Sequence, residues 1–335
     1  MPRRGLLNRR QFITLLGGAT AAWPLAARAQ QPERVRRIGV LMPFTERDPE
    51  GQTRVTAFRE GLQKLGWTEG RNIRIDYRWA SDTTLMPQFA KELVALKPEL
   101  ILASSTPATA SILEYTRTTP IVFMQVTDPI GAGFVASLAR PGGNVTGFIA
   151  VEPTMAGKWV ELLKEIAPGV TRVAAVFNPA TAPFPELFLN AFKVAATSFA
   201  LDAIAAPIHD ISALDHVISA QAREPNGGVI VLPDIFIAAH REEVVSLAAR
   251  HRLPVVYPFR FFTEVGGLLS YGNEPLDQIR RAGSYADRIL RGEKPSELPV
   301  QAPVKFELLI NLKTAKALAL DVPLFLQQRA DEVFE

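Results

Sequence analysis

The chain has 335 residues, 47% of them hydrophobic, with 37 Lys+Arg against 34 Asp+Glu, four histidines and no cysteine. That length supports a large apolar core, while the missing cysteines exclude disulfides, thiol nucleophiles, cysteine-built metal sites and lipid attachment through a cysteine. The positive balance is local: Arg3, Arg4, Arg9, Arg10 and Arg28 fall in an acid-free leader, and beyond it 32 basic side chains face 34 acidic ones with no basic patch, so nucleic acid is not an expected partner.

The leader comes first in the chain. Arg9 and Arg10 precede an uncharged apolar run from Phe12 to Ala27, followed by the small-x-small site Ala27-Arg28-Ala29. This is the pattern of a secretory signal. The Arg-Arg-x-Phe spacing points to the twin-arginine route. Cleavage is expected between Ala29 and Gln30, which would leave a free soluble product in the periplasm. An uncleaved anchor is the alternative, but the run is short for a bilayer and contains Gly17, Gly18 and Pro24.

Beyond the leader, short apolar runs alternate with longer amphipathic ones. "RIGVLMP" reads as a buried strand. "QTRVTAFREGLQKLG" places Val55, Phe58, Leu62 and Leu65 on one helical face and stops at Gly66. "NIRIDYRWA" alternates Ile73, Ile75, Tyr77 and Trp79 as a half-buried strand. A helix (Leu85 to Leu96), the strand "ELILAS", a helix (Ala108 to Arg117) and the strand "PIVFMQV" follow. Such alternation implies a parallel sheet with helices on both faces.

The pattern then restarts. "TRVAAVFNP", "GGVIVLPD" and "RLPVVYPF" take the places of "RRIGVLMPF", "ELILASST" and "TTPIVFMQV", with helices at about Phe184 to Phe199, Ala213 to Arg223 and Ala238 to Arg250. Two successive α/β units predict two lobes in preference to one large sheet. The remaining elements, a helix from Leu276 to Leu290 and the strand and helix of "VKFELLINLKTAKALAL", are too few for a domain and must complete the earlier lobes. The expected division is 35–149 with 272–300, and 150–271 with 301–335. A chain that crosses repeatedly between lobes forms a hinge over a cleft, a geometry suited to closure on a small molecule.

Ligands of open parallel sheets sit beyond the carboxyl ends of the strands, so the candidate residues are those that follow each strand. Phe44 follows the first. Ser104, Ser105 and Thr106 follow the third, at a helix start whose free N–H groups and dipole suit a carboxylate; one ordinary N-cap is the competing explanation. Gln125, Thr127 and Asp128 follow the fourth. Asn178, Asp234 and Tyr257 match them in the second unit, with Tyr271 in "GGLLSYG". Two carboxylates and an aromatic near an anion site suit a zwitterion such as an amino acid. Asp128 has the competing role of closing the turn before Pro129, and Asp234 that of capping the next helix.

Other chemistry finds little support. Gly131, Gly133 and Ala136 match the dinucleotide pattern G-x-G-x-x-A, with Glu152 downstream, but four residues separate them from a strand ending near Val126, where the fingerprint needs the first glycine almost at once. His209, His216, His240 and His251 show no H-E-x-x-H spacing, and no G-x-S-x-G elbow occurs. No catalytic residue, metal or cofactor is expected.

At "VTDPIGAGFVASLARPGGNVTGF", and again from "YGNEPLDQIRRAGSYADRILRGEKPSELPVQAP" to "DVP", the chain resembles the substrate-binding proteins of ABC transporters, in the group with tryptophan- and tyrosine-binding members. The likeness runs from "RRIGVLMP" to "DVP". It implies a type I periplasmic binding protein, two Rossmann-like lobes linked by three crossovers, which delivers its ligand to an inner-membrane permease and catalyses nothing. Carried over, the family's cleft positions fall on Phe44, Ser104, Ser105, Thr106, Thr127, Asp128, Asn178 and Asp234. In "LPDIFIAAHREE" an apolar stretch after Asp234 departs from the amino-acid binders, so an aromatic or other organic carboxylate stays equally open. A monomer is expected. A ligand-sensing module for a membrane kinase would share all these features, and an exported α/β enzyme is the more distant reading.

Overall fold

β1 (Arg36–Met42) buries Ile38, Val40 and Met42 against one face and Leu41 against the other, so this strand needs cover on both sides. In the computed structural model, which describes residues 35–182 and 185–335, it lies inside a five-stranded all-parallel sheet of order β2-β1-β3-β4-β5. The other strands are β2 (Ile73–Trp79), β3 (Leu100–Ser104), β4 (Ile121–Val126) and β5 (Val145–Ile149). α1 (Pro49–Lys64) lays Val55, Phe58 and Leu62 on the Ile38 face. α2 (Met86–Ala95) and α3 (Thr106–Tyr115) cover the opposite face through Met86, Leu93, Ala108 and Ile112. The expected leader and its cut at Ala29 lie outside the described residues.

The second sheet has seven strands in the order β12-β11-β10-β9-β8-β6-β7. They are β6 (Arg172–Phe177), β7 (Asp202–Pro207), β8 (Gly227–Val231), β9 (Val255–Tyr257), β10 (Leu269–Asn273), β11 (Phe306–Asn311) and β12 (Glu332–Phe334). α4 (Met155–Ile166) and α5 (Pro185–Ser198) pack side by side, as do α6 (Ile211–Arg223) and α8 (Arg241–Arg250). The short α7 (Ile235–Ala239) and α9 (Arg260–Glu264) lie near the cleft. One apolar cluster joins these layers around the fully buried Trp159, whose indole N–H donates to the Tyr271 carbonyl at 2.7 Å. No described helix is long and apolar enough to cross a membrane.

The second sheet is not wholly parallel. β11 runs antiparallel to β10, and β12 follows β11. The cause is the route of the chain: Asn273, the last residue of β10, pairs with Phe306, the first of β11. The chain re-enters this domain where it left it, so the strand it adds must run the other way. β5, α4 and β12 are further elements beyond the sequence reading. The helix expected over Ala238 to Arg250 is two helices, α7 and α8, broken at His240 (φ −106°, ψ 26°).

Three passages join the domains. β5 leads into α4, β10 leads into α10 (Pro275–Leu290), and residues 298–305 run beside β5, with Gln301 donating to Gly147 at 2.9 Å, before entering β11. α11 (Leu312–Ala317) and α12 (Leu324–Arg329) then finish the second domain. α10 leaves the second sheet and packs on α1 of the first domain through Ile279, Ala282 and Ala286. The two helices approach backbone to backbone, because a Cβ on Gly61 would stand 2.8 Å from the Arg280 carbonyl oxygen and one on Gly283 only 3.0 Å from the Gly61 backbone. Gly61→Val should therefore push α10 off α1 and lower unfolding free energy by about 1–3 kcal/mol, read as a reduced urea midpoint; an unchanged midpoint would refute this contact.

Candidate functional site: the cleft between the domains

The carboxyl ends of β1, β3 and β4 face those of β6, β8 and β9 across a cavity with about 570 Å³ of empty space, counted to its open mouth. Phe44, Ser104, Ser105, Thr106, Gln125, Thr127 and Asp234 all line it, drawn from both domains as the strand-end argument expects. Thr181, Ala182, Phe259 and Phe261 complete the wall from the second domain.

Ser105 is the N-cap of α3, which begins two residues earlier than its pattern suggested. Its Oγ accepts from the Ala108 N–H at 3.2 Å. Its backbone sits at φ 122°, a conformation that L residues avoid, and this turns the chain sharply from strand into helix. Thr106 Oγ1 accepts from the Thr127 N–H at 3.2 Å, so its proton remains to donate. Ser104 Oγ is fully buried and has no partner. Gln125, also at positive φ (54°), occupies an irregularity in β4 and gives its Nε2 to Gln278 at 2.8 Å.

Asp234 touches the cavity but is occupied with its own loops. Oδ2 accepts from the Asn178 N–H at 2.7 Å, and Oδ1 accepts from the Thr181 hydroxyl at 2.8 Å and the Ile237 N–H at 3.0 Å. Burial raises its pKa above the ordinary carboxylate value, and these donors draw it part of the way back. Asn178 sits beside it, lining an outer chamber, with its Oδ1 accepting from the Ala180 N–H at 2.9 Å.

Three candidates stand elsewhere. Asp128 closes its own turn, accepting from the Gly131 N–H at 2.8 Å, because Pro129 directs the chain back onto the side chain. Tyr257 is 1% exposed and stacked on Phe262 at 4.8 Å in the core of the second domain. Tyr271 lies over Phe306 at 6.1 Å on the neighbouring strand. Both tyrosines point off a sheet face into packed layers and not off its end, which the position of a residue near a strand terminus does not reveal.

Three charged residues escaped the sequence reading. Arg54 is buried in α1, lines the cavity, lies over the Phe44 ring at 4.9 Å and gives Nε to Glu50 at 2.7 Å. Its signal was available: residues 54, 58, 61 and 65 form one helical stripe, and a charge on it is out of place. The other two are partners across the cleft. Arg241, first residue of α8, grips Asp48, the N-cap of α1, through two bonds of 2.9 and 3.1 Å, with both side chains nearly buried. Asp48 borders the outer chamber, while the Arg241 guanidinium lies over Phe261 of the inner one at 5.9 Å. No cluster able to hold a metal ion occurs among the described residues.

A strand-end cavity shared by two α/β domains, with an ion pair bridging its lips, is the geometry of a binding protein that closes on its ligand. The family model for ABC transporter substrate binding proteins matches residues 38–334. The chain belongs to that family. A tyrosine-binding protein of Clostridioides difficile (strain R20291) is 27% identical over 266 residues, 78% of this chain and 75% of the relative. A Streptococcus pneumoniae ABC domain in complex with L-Trp superposes with a TM-score of 0.82 at 26% identity, covering 90% of this chain and 100% of that one. The ligand-free, open structure of a Clostridium difficile substrate binding protein with adhesive properties, also 26% identical, covering 90% of this chain and 99% of its own, reaches 0.67. In this structure the Asp48–Arg241 pair spans the cleft, so the two domains stand closed on it. The fold is that of a type I periplasmic binding protein.

The cross-cleft pair should hold that closed placement. In a double-mutant cycle of Asp48→Asn, which keeps a good N-cap, and Arg241→Gln, the coupling should be about 1–3 kcal/mol, and each single variant should raise the radius of gyration in solution scattering. Additive effects with unchanged dimensions would show that the pair does not govern closure. Asp234→Ala leaves buried donors of two loops unpaired and should cost about 1–3 kcal/mol of stability in urea unfolding without ligand; an unaltered midpoint would remove its structural role.

Proposed function

We propose that the protein is the solute receptor of an ABC importer: it captures a small organic molecule, an amino acid or an aromatic or other organic carboxylate, in the interlobe cavity and presents it to membrane permease subunits. The carrying observation is the cavity itself, whose polar groups come from strand ends of both domains, so that only the closed arrangement completes it. A ligand that contacts both walls favours the closed state by its differential affinity. The tyrosine-binding relative and the Trp-bound one support a ligand of that size and chemistry.

The receptor works by binding and release, without chemistry on the ligand, and acts as a monomer in the periplasm. Support for export is the twin-arginine leader with its small-x-small site at Ala27-Arg28-Ala29.

The test uses full-length protein expressed in a Gram-negative host. Recovered from the periplasmic fraction, the product should have the mass of residues 30–335; retention of residues 1–29 in the membrane would overturn the export reading. Stripped of bound solute, it is screened by thermal shift against amino acids, aromatic carboxylates and short organic acids. A ligand at a hundred times its dissociation constant should add about 2.7 kcal/mol of stability and reduce the radius of gyration of any open fraction. A flat response throughout, or turnover of a compound, would overturn the solute-receptor reading.

A further inference from the structure

Among the described residues two charged side chains line the inner cavity, Arg54 and Asp234, and they are committed very differently. Asp234 accepts from the Asn178 and Ile237 backbone N–H groups and from the Thr181 hydroxyl. A carboxylate offers about four acceptor positions, so its own loops engage both oxygens and take most of that capacity. Asp128, the other carboxylate expected in the cleft, is turned onto Gly131. Gln125 presents a neutral amide already tied to Gln278.

The donors are in the opposite condition. Arg54 is 5% exposed, and apart from its Nε bond to Glu50 its guanidinium makes no hydrogen bond to any described residue. Ser104 Oγ is fully buried with no partner, and Thr106 has a proton to give. Buried donors without acceptors are costly unless something fills the site. The rest of the wall is apolar, with Phe44, Ile235, Phe259 and Phe261 prominent.

We infer that the ligand is an organic acid with an apolar body and a free carboxylate but no α-ammonium group, and that Arg54 is the residue that selects it over the matching amino acid. This rests on the solute-receptor reading and narrows it. An amino acid would bring three N–H donors to a cavity whose one carboxylate among the described residues is largely engaged by its own loops, whereas a plain acid brings acceptors to unpaired donors. Glu50 holds the guanidinium by Nε and leaves the two terminal nitrogens for a bidentate contact.

Calorimetric titration of the purified, solute-stripped protein with matched pairs tests this. The pairs are 3-phenylpropanoate and L-phenylalanine, 3-(4-hydroxyphenyl)propanoate and L-tyrosine, 3-indolepropanoate and L-tryptophan, and 4-methylpentanoate and L-leucine. Members of each pair share a carbon skeleton and differ at the α-ammonium. In at least one pair the acid should bind at least about tenfold tighter than its partner, and Arg54→Gln should weaken the acid by about tenfold to a hundredfold while erasing the preference. Arg54→Lys, which keeps the charge but not the fork, should retain part of it. Unliganded urea midpoints report whether each variant is folded, and the acid-to-amino-acid ratio separates selection from a general loss of stability. Tighter binding of amino acids overturns the inference and leaves the solute-receptor reading intact. An unchanged preference in folded Arg54→Gln overturns the role of Arg54. Silence from every pair overturns the ligand class, and the broader screen then judges the receptor reading by itself.

Discussion

Three passages of one chain between two sheets constrain everything else in this protein, and a single glutamine ties two of them to the ligand site. Gln278, 1% exposed at the start of α10, donates Nε2 to the Ile149 carbonyl at the end of β5 and accepts from Asn273 Nδ2 at the end of β10. Its Oε1 also takes Gln125 Nε2 from the cavity wall. The first passage, the second passage and the ligand site thus meet at one buried amide. The paired amides of this network fix where β5 and β10 stop, while Asn273 Oδ1 stays buried without a partner. Their termination sets the carboxyl ends of both sheets face to face, and the cleft follows.

Backbone strain is distributed in accordance with that. Among the described residues, the non-glycine positions at positive φ fall into two groups. Lys97, Ala200, Asn226, Arg252 and Ala319 lie just past helix ends, where a left-handed residue ends a helix at little cost. Ser105 and Gln125 lie at strand ends, and both line the cavity. No helix terminus accounts for the Gln125 conformation, and the φ of Ser105 lies far from the ordinary left-handed well. The bonds that hold them, Ser105 N–H to the Met124 carbonyl and Gln125 Nε2 to Gln278, come from the sheet and the hinge. The rigid scaffold supports a strained wall, as sites that must present unsatisfied groups to a ligand require.

Much of the fold was legible. Strands such as β1, β3 and β4 carry apolar side chains on both faces, so their runs are continuous, and α1 or α10 repeats its apolar residues with a helical period. β5 was not legible, being short and interrupted by Gly147. For the site, the rule that ligands sit beyond strand ends pointed to Phe44, the Ser104–Thr106 cluster, Gln125, Thr127 and Asp234, which the structure brings to one cavity wall. It misplaced Tyr257 and Tyr271, since near the end of a strand a side chain still alternates between sheet faces. It also missed Arg54 and the Asp48–Arg241 pair, which reach the cleft from helices.

What the sequence determined by itself is local: the alternation of periods that makes strands and helices, the restart that makes two domains, and the Ser105 cap, whose hydroxyl needs only the N–H groups three residues on. What the tertiary structure alone decided is which polar atoms are already spent. Asp234 and Arg54 look equally available as letters in the chain. One has both oxygens engaged by donors from loops brought beside it by the second sheet, and the other lies over Phe44 with only its Nε hydrogen-bonded, to Glu50. Hydrogen-bond capacity is consumed by neighbours in space, and the residues that consume it at Asp234 lie up to 56 positions away along the chain.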